Sequence, residues 1–258
     1  MIVFTHIPKT AGTTFKTILR SNFGSSHVEA NKIKRAVYTR GDLKFARQVF
    51  FRINAISGHN LSDPVKNLDM DGAQMFTILR QPVMRCVSHF QDNVLRHNMK
   101  LSFREWIELD SHQNVMVKTI AGSGDLDRAK TLLKDHYLFV GFTERFEESL
   151  KLLNLLLEKP LDLQYKTSIV ARSNQIKKEI LEDEASVELL KKHNQLDQEL
   201  YDFAMSEIFL PALEKMGDRM DSVRVYSHMQ SRRSRVRHQL SIRFNNVIYR
   251  QLIKLLGK

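Results

Sequence analysis

Short apolar runs of strand length, separated by stretches of helical periodicity, restrict the fold of this chain more than any other feature. The four runs are Ile2–Ile7, Ile53–Ser57, Met75–Leu79 and Leu138–Phe142. Strands that alternate with helices favour a three-layer α/β domain with a mostly parallel sheet. Right-handed crossovers in such a sheet bring the connecting loops to the carboxyl ends of the strands, where ligands bind.

Local end signals support several of the intervening helices. Ser102 and Glu105 form a capping-box pattern at the start of one helix. Thr143 is expected to cap the start of another. A longer helix is predicted from about residue 194 to 217, and Pro211 is expected to kink or restart it.

The composition changes near residue 218, beyond which ten basic residues accompany only Asp218 and Asp221. We interpret Arg232–Arg237 as a basic linker, followed by an amphipathic basic helix. Its apolar positions at helical spacing are Phe244, Ile248, Leu252 and Leu255. The chain is therefore divided into a domain over residues 1–217 and a basic helical extension over residues 218–258. The apolar stripe of the extension can dock on the domain, which is the commoner case, or bind an anionic membrane surface.

The charge balance favours anionic partners without choosing among them. The chain of 258 residues has 40 Lys and Arg against 29 Asp and Glu, a formal net charge of +11. The single cysteine, Cys86, excludes an intrachain disulfide. No signal peptide and no apolar run of transmembrane length is visible, so we expect a cytoplasmic protein, with peripheral membrane association as the alternative. No spacing of cysteine, histidine or carboxylate residues indicates a metal site.

The loop after the first strand carries most of the functional information. It is the segment Thr5-His-Ile-Pro-Lys-Thr-Ala-Gly-Thr-Thr-Phe15. A lysine, a glycine and small hydroxyl residues stand there at the start of a predicted helix, where free N–H groups and the helix dipole favour anions. The order differs from the Walker pattern, because Lys9 precedes Gly12 and no Gly-Lys pair is present.

This loop resembles the 5′-phosphosulfate-binding loop of sulfotransferases, and it is most similar to the heparan sulfate 2-O- and 6-O-sulfotransferase branch and its bacterial relatives. The resemblance implies that Lys9 contacts the phosphosulfate and neutralises charge on the leaving phosphate oxygen. It also implies that the 5′-phosphate is held by the backbone and hydroxyl groups of Thr10, Ala11, Gly12, Thr13 and Thr14. The sulfuryl donor would be 3′-phosphoadenosine 5′-phosphosulfate (PAPS), and the product adenosine 3′,5′-bisphosphate.

A second segment resembles the 3′-phosphate motif of the same family. Arg80 ends the strand Met75–Leu79, and Ser88 lies eight positions later on a predicted helix. In the family this pair grips the 3′-phosphate, and a guanidinium with a hydroxyl suits a dianion. The family commonly has an acid at the position of Gln81, a departure that touches neither proposed ligand. The segment Tyr165–Asn174 is a further candidate for a loop over the nucleotide.

The resemblance also points to a general base. His59 follows the strand Ile53–Ser57, where the glycan sulfotransferases place a histidine that takes the proton of the acceptor hydroxyl. Imidazole titrates near the operating pH of most enzymes, which suits that role. His6, which borders the loop, is the next candidate, although its place in the strand suggests packing. Asp63 is considered as an orienting group for His59 because it is close in sequence.

The sequence therefore predicts a PAPS-dependent sulfotransferase that acts on a hydroxyl acceptor, expected to be a carbohydrate, without a metal ion. A nucleotide-dependent kinase on a P-loop-like fold is one alternative, against which the missing Gly-Lys-Ser/Thr and any clear Mg²⁺-binding acid count. A non-catalytic module that binds anionic polymers through the basic extension is the other. No specific nucleic-acid partner is expected.

Overall fold

The computed structural model describes residues 1–68, 72–165, 174–227 and 231–256. The strands, in chain order, are β1 (Ile2–Thr5), β2 (His27–Glu29), β3 (Ala55–Gly58), β4 (Gln74–Leu79), β5 (Tyr137–Phe142), β6 (Gln164–Tyr165) and β7 (Tyr226–Ser227). The helices are α1 (Gly12–Phe23), α2 (Arg40–Val49), α3 (Pro64–Leu68), α4 (Pro82–His97), α5 (Phe103–Ile107), α6 (Val115–Ala121), α7 (Leu126–Asp135), α8 (Phe146–Leu156), α9 (Gln175–Glu182), α10 (Glu184–His193), α11 (Gln195–Ala204), α12 (Leu210–Met216), α13 (Arg232–Arg243) and α14 (Arg250–Leu255). Segment 165–174, considered for a nucleotide loop, lies mostly outside the described residues.

Five of the strands form a parallel sheet in the order β2-β3-β1-β4-β5. Every residue of β1 and β3 is buried, so both faces of the sheet are covered, as the three-layer α/β prediction requires. β1 lies at the centre and pairs with β3 on one side and β4 on the other. The loops that follow these three strands therefore meet at one edge of the sheet.

All four predicted strands are present, and each end lies within two residues of its predicted position. β2, which the apolar pattern did not reveal, has only three residues and begins and ends with polar side chains. Such a short edge strand has too few positions to show a period of two. The sequence signal therefore identified the centre of the sheet and missed one edge.

The helix-end predictions have mixed outcomes. The capping box of Ser102 and Glu105 is confirmed. Thr143 does not cap a helix, since its hydroxyl donates to the carbonyl of Leu79 and a 3-10 turn precedes α8. The long helix changes at a π-helical turn, Met205–Phe209, directly before Pro211, whose ring cannot follow an unbroken α-helical ladder.

The basic extension is more helical than expected. The predicted linker Arg232–Arg237 is instead the first half of α13, with Ser231 as a side-chain N-cap. A π-helical turn, Phe244–Tyr249, then joins α13 to α14. Because this turn shifts the helical register, Tyr249 and Ile253 are buried in the main core, whereas Ile248 and Leu255 of the expected stripe are exposed. The division of the chain at residue 217 stays a prediction.

None of the helices in the described residues combines the length and the apolar character needed to cross a bilayer.

Candidate functional site

The loop between β1 and α1 is held in an unusual backbone conformation. Lys9 has φ of 69° and Ala11 has φ of 58°, both in the left-handed region that side chains disfavour. α1 then begins at Gly12 with no side chain bonded to its first N–H groups. Backbone N–H groups left free at a helix start, next to left-handed residues, form an anion-binding concavity. The hydroxyl of Thr10 is committed to the loop itself, donating to the carbonyl of Ile7 at 3.0 Å.

Gly12 is required by its neighbour His6. A Cβ atom built on Gly12 would lie 1.7 Å from Cδ2 of His6, so no other residue fits while that ring stays in place. The His6 ring is buried and stacks against Phe4 of β1. The glycine therefore lets a histidine pack under the loop, which is a second reason for it beside close approach to an anion.

The structure brings the two predicted phosphate motifs into contact. The guanidinium of Arg80, at the carboxyl end of β4, donates from Nη1 to the carbonyl of Lys9 at 3.0 Å. The two residues are 71 positions apart, and the parallel pairing of β1 with β4 makes them neighbours. Arg80 therefore lies beside the loop, as the resemblance implied for a residue of the same nucleotide site.

Lys9 forms an ion pair with an acidic residue that is not among the predicted site residues. Its Nζ atom lies 3.1 Å from Oδ1 of Asp92 on α4, and Asp92 also pairs with Arg96 at 3.2 Å. Ser88 lies four residues before Asp92, on the same face of α4, and is half-buried. Asp92 can be found from the sequence because it lies four positions after Ser88, which places both side chains on one face of the predicted helix.

Gln81 preserves the turn that precedes α4. Its side-chain carbonyl accepts a hydrogen bond from the N–H of Met84 at 2.8 Å, so it caps the helix as an acid would. The N–H of Gln81 in turn donates to Glu144 at 2.9 Å. The departure from the family pattern at this position therefore leaves the start of α4 intact.

A second cation accompanies Arg80. Burial lowers the pKa of Lys177 on α9, and the positive charge of Arg80 lowers it further. Burial also lowers the pKa of Arg80, which the charge of Glu144 partly offsets. The positive charges of Lys177 and Arg80 therefore interact, and two neighbouring cations are suited to a multiply charged anion.

His59 meets the loop through a backbone hydrogen bond. Its Nδ1 atom lies 2.6 Å from the carbonyl oxygen of His6, and the His6 N–H donates to the carbonyl of Gly58 at 3.0 Å. Because a carbonyl oxygen only accepts, Nδ1 of His59 carries the proton and Nε2 keeps its lone pair. His59 keeps part of its surface exposed to solvent, and its ring is tilted by 33° against the His6 ring, with 3.9 Å between the ring centroids. A neutral imidazole with a free Nε2 can accept a proton.

The surroundings of both histidines favour their neutral forms. Desolvation lowers the pKa of His59, the bond to the His6 carbonyl opposes this, and the nearby charge of Lys16 adds to the lowering. Burial lowers the pKa of His6 well below the ordinary range, and the charges of His59 and Lys16 contribute. Of the two, only His59 combines a free ring nitrogen with access from solvent.

Asp63 does not orient His59. Its carboxylate forms a two-point pair with Arg128 of α7, at 3.1 Å for each hydrogen bond, and also accepts from the N–H of Lys66. The carbonyl of His6 takes the orienting role instead. A backbone group leaves no trace in the sequence, so residue type could not have revealed it.

Comparison with known proteins gives one family match. A family model described as "Sulfotransferase family" matches residues 1–204 of the 258. No curated protein matches the chain significantly. The matched range contains the loop, Arg80, Ser88 and His59, and it ends within α11.

Proposed function

The chain belongs to the sulfotransferase family, and from that premise we propose that it transfers a sulfuryl group from PAPS to a hydroxyl of a carbohydrate acceptor. One observation carries the proposal. The histidine with a free Nε2 is bonded to the same β1–α1 loop whose lysine and helix start favour an anion. A proton acceptor and an anion cradle at one sheet edge are what transfer of an anionic group to a hydroxyl needs.

The residues of the loop suit the phosphosulfate of the donor. The N–H groups at the start of α1 and the hydroxyls of Thr13 and Thr14 would hold the 5′-phosphate, and Thr10 and Ala11 would contribute backbone groups. Lys9 would neutralise the charge that grows on the leaving phosphate oxygen. PAPS supplies the sulfuryl group, and its departing portion is adenosine 3′,5′-bisphosphate.

In this proposal Arg80 and Ser88 bind the 3′-phosphate. The contact of Arg80 with the carbonyl of Lys9 supports a shared site, and Lys177 adds positive charge beside it. Ser88 lies on α4, the helix that also supplies the partner of Lys9. A guanidinium fork with a hydroxyl distinguishes a bisphosphate from a single phosphate.

His59 is the proposed base on the acceptor side. Its Nε2 takes the hydroxyl proton as the oxygen bonds to sulfur and the bond from sulfur to the phosphate oxygen breaks. The His6 carbonyl stabilises the imidazolium that results, because it accepts from Nδ1. The carbohydrate character of the acceptor follows from the similarity of the loop to glycan sulfotransferases and from the net charge of +11, which suits an acidic glycan.

Thermal shift separates the proposal from its alternatives. Adenosine 3′,5′-bisphosphate is expected to raise the melting temperature well above the shift produced by ATP or by heparin, since stabilisation grows with the logarithm of the ratio of ligand concentration to Kd. At one hundred times its Kd a ligand adds about 2.7 kcal/mol of stability. A preference for ATP with Mg²⁺ would support a kinase, and a response to heparin alone would support a polymer-binding module.

Arg80→Ala tests the nucleotide contact. It is expected to weaken adenosine 3′,5′-bisphosphate about tenfold or more, because a charge-assisted hydrogen bond contributes about 1.5–3 kcal/mol. Binding of adenosine 5′-phosphate, measured by the same calorimetric titration, is expected to change much less. Arg47→Ala, on the exposed side of α2, is the matched control. Equal loss for both nucleotides would indicate that Arg80 only supports the Lys9 carbonyl.

A further inference from the structure

The basic extension exposes an apolar stripe that faces away from the domain. Its members have relative accessibilities between 46% and 78%. They are Val236, Leu240, Val247, Ile248, Leu255 and Leu256. Three of them, Val236, Leu240 and Val247, line one groove, and exposed apolar side chains that cluster in this way commonly mark an interaction site.

The opposite face of the same helices contacts the domain through hydrogen bonds and through apolar side chains, since Tyr249 and Ile253 belong to the main core. The side chain of Asn245 accepts from the N–H of Glu29 at 2.9 Å and donates to the carbonyl of His27 at 2.8 Å, so it completes the open edge of β2. Tyr249 contacts the hydroxyl of Tyr38 at 3.2 Å. Because this docking uses the opposite face of the helices, the apolar stripe is left largely uncovered by the described residues.

Positive charge surrounds the stripe. An open groove on this face is lined by Arg232, Arg235, Val236, Leu240, Arg243 and Val247, among others. These three arginines are exposed and form no ion pair with any described residue. The chain from residue 222 to 258 contains nine basic residues and no acid. Basic and apolar side chains therefore lie together on one surface, without a counter-ion from the part of the chain that the structure describes.

We propose that this face of α13 and α14 docks on an anionic phospholipid membrane. A helix that lies in the interface buries its apolar side chains about 5–10 Å deep, while arginines at the flanks reach the headgroup phosphates. Anionic lipids supply the charge that the groove lacks. The membrane occupies the apolar stripe and the arginines together, which makes it the occupant that fits both features of the surface.

Two other occupants fit less well. An acidic polymer would satisfy the arginines but leave the apolar stripe in water. A second copy of the chain would cover the stripe but bring two sets of unpaired arginines together, and like charges across an interface are repulsive. The proposal does not rest on the sulfuryl-transfer reaction, so either can fail alone.

Vesicle co-sedimentation with the full chain tests the proposal. Deletion of the extension is unsuitable, because Tyr249 and Ile253 belong to the main core. The wild-type chain is expected to sediment with vesicles of equal phosphatidylglycerol and phosphatidylcholine, and to stay in solution with phosphatidylcholine alone. High salt is expected to release it.

Three variants assign the binding to this face. Arg232→Gln, Arg235→Gln and Arg243→Gln together are expected to lower the partition coefficient about 100-fold, since each cation at an anionic leaflet contributes about fivefold. The matched control carries the same charge change on other exposed surfaces, at Lys100, Lys134 and Lys192, each changed to Gln. A third variant, with Val236, Leu240 and Val247 each changed to Ser, is expected to lose at least tenfold.

The melting temperature and the binding of adenosine 3′,5′-bisphosphate are expected to be the same in all three variants, which shows that the fold is intact. Equal loss in the arginine variant and the lysine control would overturn the proposal, because binding would then follow net charge alone. Full vesicle binding by the serine variant would also overturn it. So would sedimentation equilibrium showing a dimer that only the serine variant abolishes, or binding to heparin without binding to vesicles.

Discussion

His59→Ala is expected to lower kcat by about 10²–10⁴-fold, the usual cost of losing a general base. The affinity for adenosine 3′,5′-bisphosphate is expected to stay near that of the wild-type chain. His59 contacts the carbonyl of His6 and is not among the residues proposed to hold the phosphates. Steady-state kinetics with a sulfated product readout, together with calorimetry, separates the two effects. A second variant, His59→Asn, keeps an N–H donor for the His6 carbonyl but supplies no base, so it should lose as much turnover.

The pH dependence of kcat/KM gives an independent test of the role of His59. Desolvation lowers the pKa of His59 from the ordinary value of 6.5, so the imidazole stays neutral below that pH. The midpoint of the acidic limb of kcat/KM is therefore expected below pH 6.5. As pH falls through that pKa, the ring gains a proton on Nε2 and the rate declines. The limb is expected to disappear in His59→Ala.

His97→Ala is the control, since His97 is an exposed histidine on α4 and outside the site. Near-normal turnover of both His59 variants on an accepted substrate would remove His59 from the mechanism. His6 would then be the next residue to test, although its buried ring also fills the space beside Gly12.

Lys9→Ala is expected to impair both turnover and nucleotide binding. Removal of a charge that stabilises a developing anion typically costs about 10²–10³-fold in kcat. The affinity for adenosine 3′,5′-bisphosphate is expected to fall about tenfold or more, because in the proposed site the same ammonium contacts the phosphate. Single-turnover kinetics measures the first effect, and calorimetric titration measures the second.

Lys66→Ala is the matched control for Lys9, because it removes the same charge from an exposed position on α3. Loss of affinity without loss of turnover in Lys9→Ala would contradict the proposed role at the leaving oxygen. The variant also leaves Asp92 with Arg96 as its one ion-pair partner among the described residues. Lys9→Ala combined with Asp92→Asn therefore shows whether an unpaired carboxylate causes any part of the defect.

Local pattern was sufficient for much of the fold. The apolar runs predicted four of the five strands of the sheet because buried parallel strands are continuous and apolar. The lysine, glycine and hydroxyl residues of the first loop predicted an anion cradle because free N–H groups follow from any helix start. The capping box at Ser102 was equally local, since its partners lie three residues apart.

The sequence missed what depends on register between distant segments. The short strand β2 gains its place from pairing with β3, and the exposed face of the extension was decided by a π-helical turn that no residue pattern announced. A single extra residue in a helical turn rotates every later side chain. Ile248 and Leu255 consequently lie at the surface, while Tyr249 and Ile253 enter the core.

The sequence by itself determined which chemical groups this protein has available: a cation, an anion-binding helix start, an arginine at a strand end and a histidine after a third strand. Only the tertiary structure decided how they are connected. It paired Lys9 with Asp92, turned Asp63 toward Arg128, and gave His59 a backbone carbonyl as its orienting partner. These contacts arise because parallel β1, β3 and β4 end at one edge, which places backbone and side-chain atoms together that lie tens of residues apart in the chain.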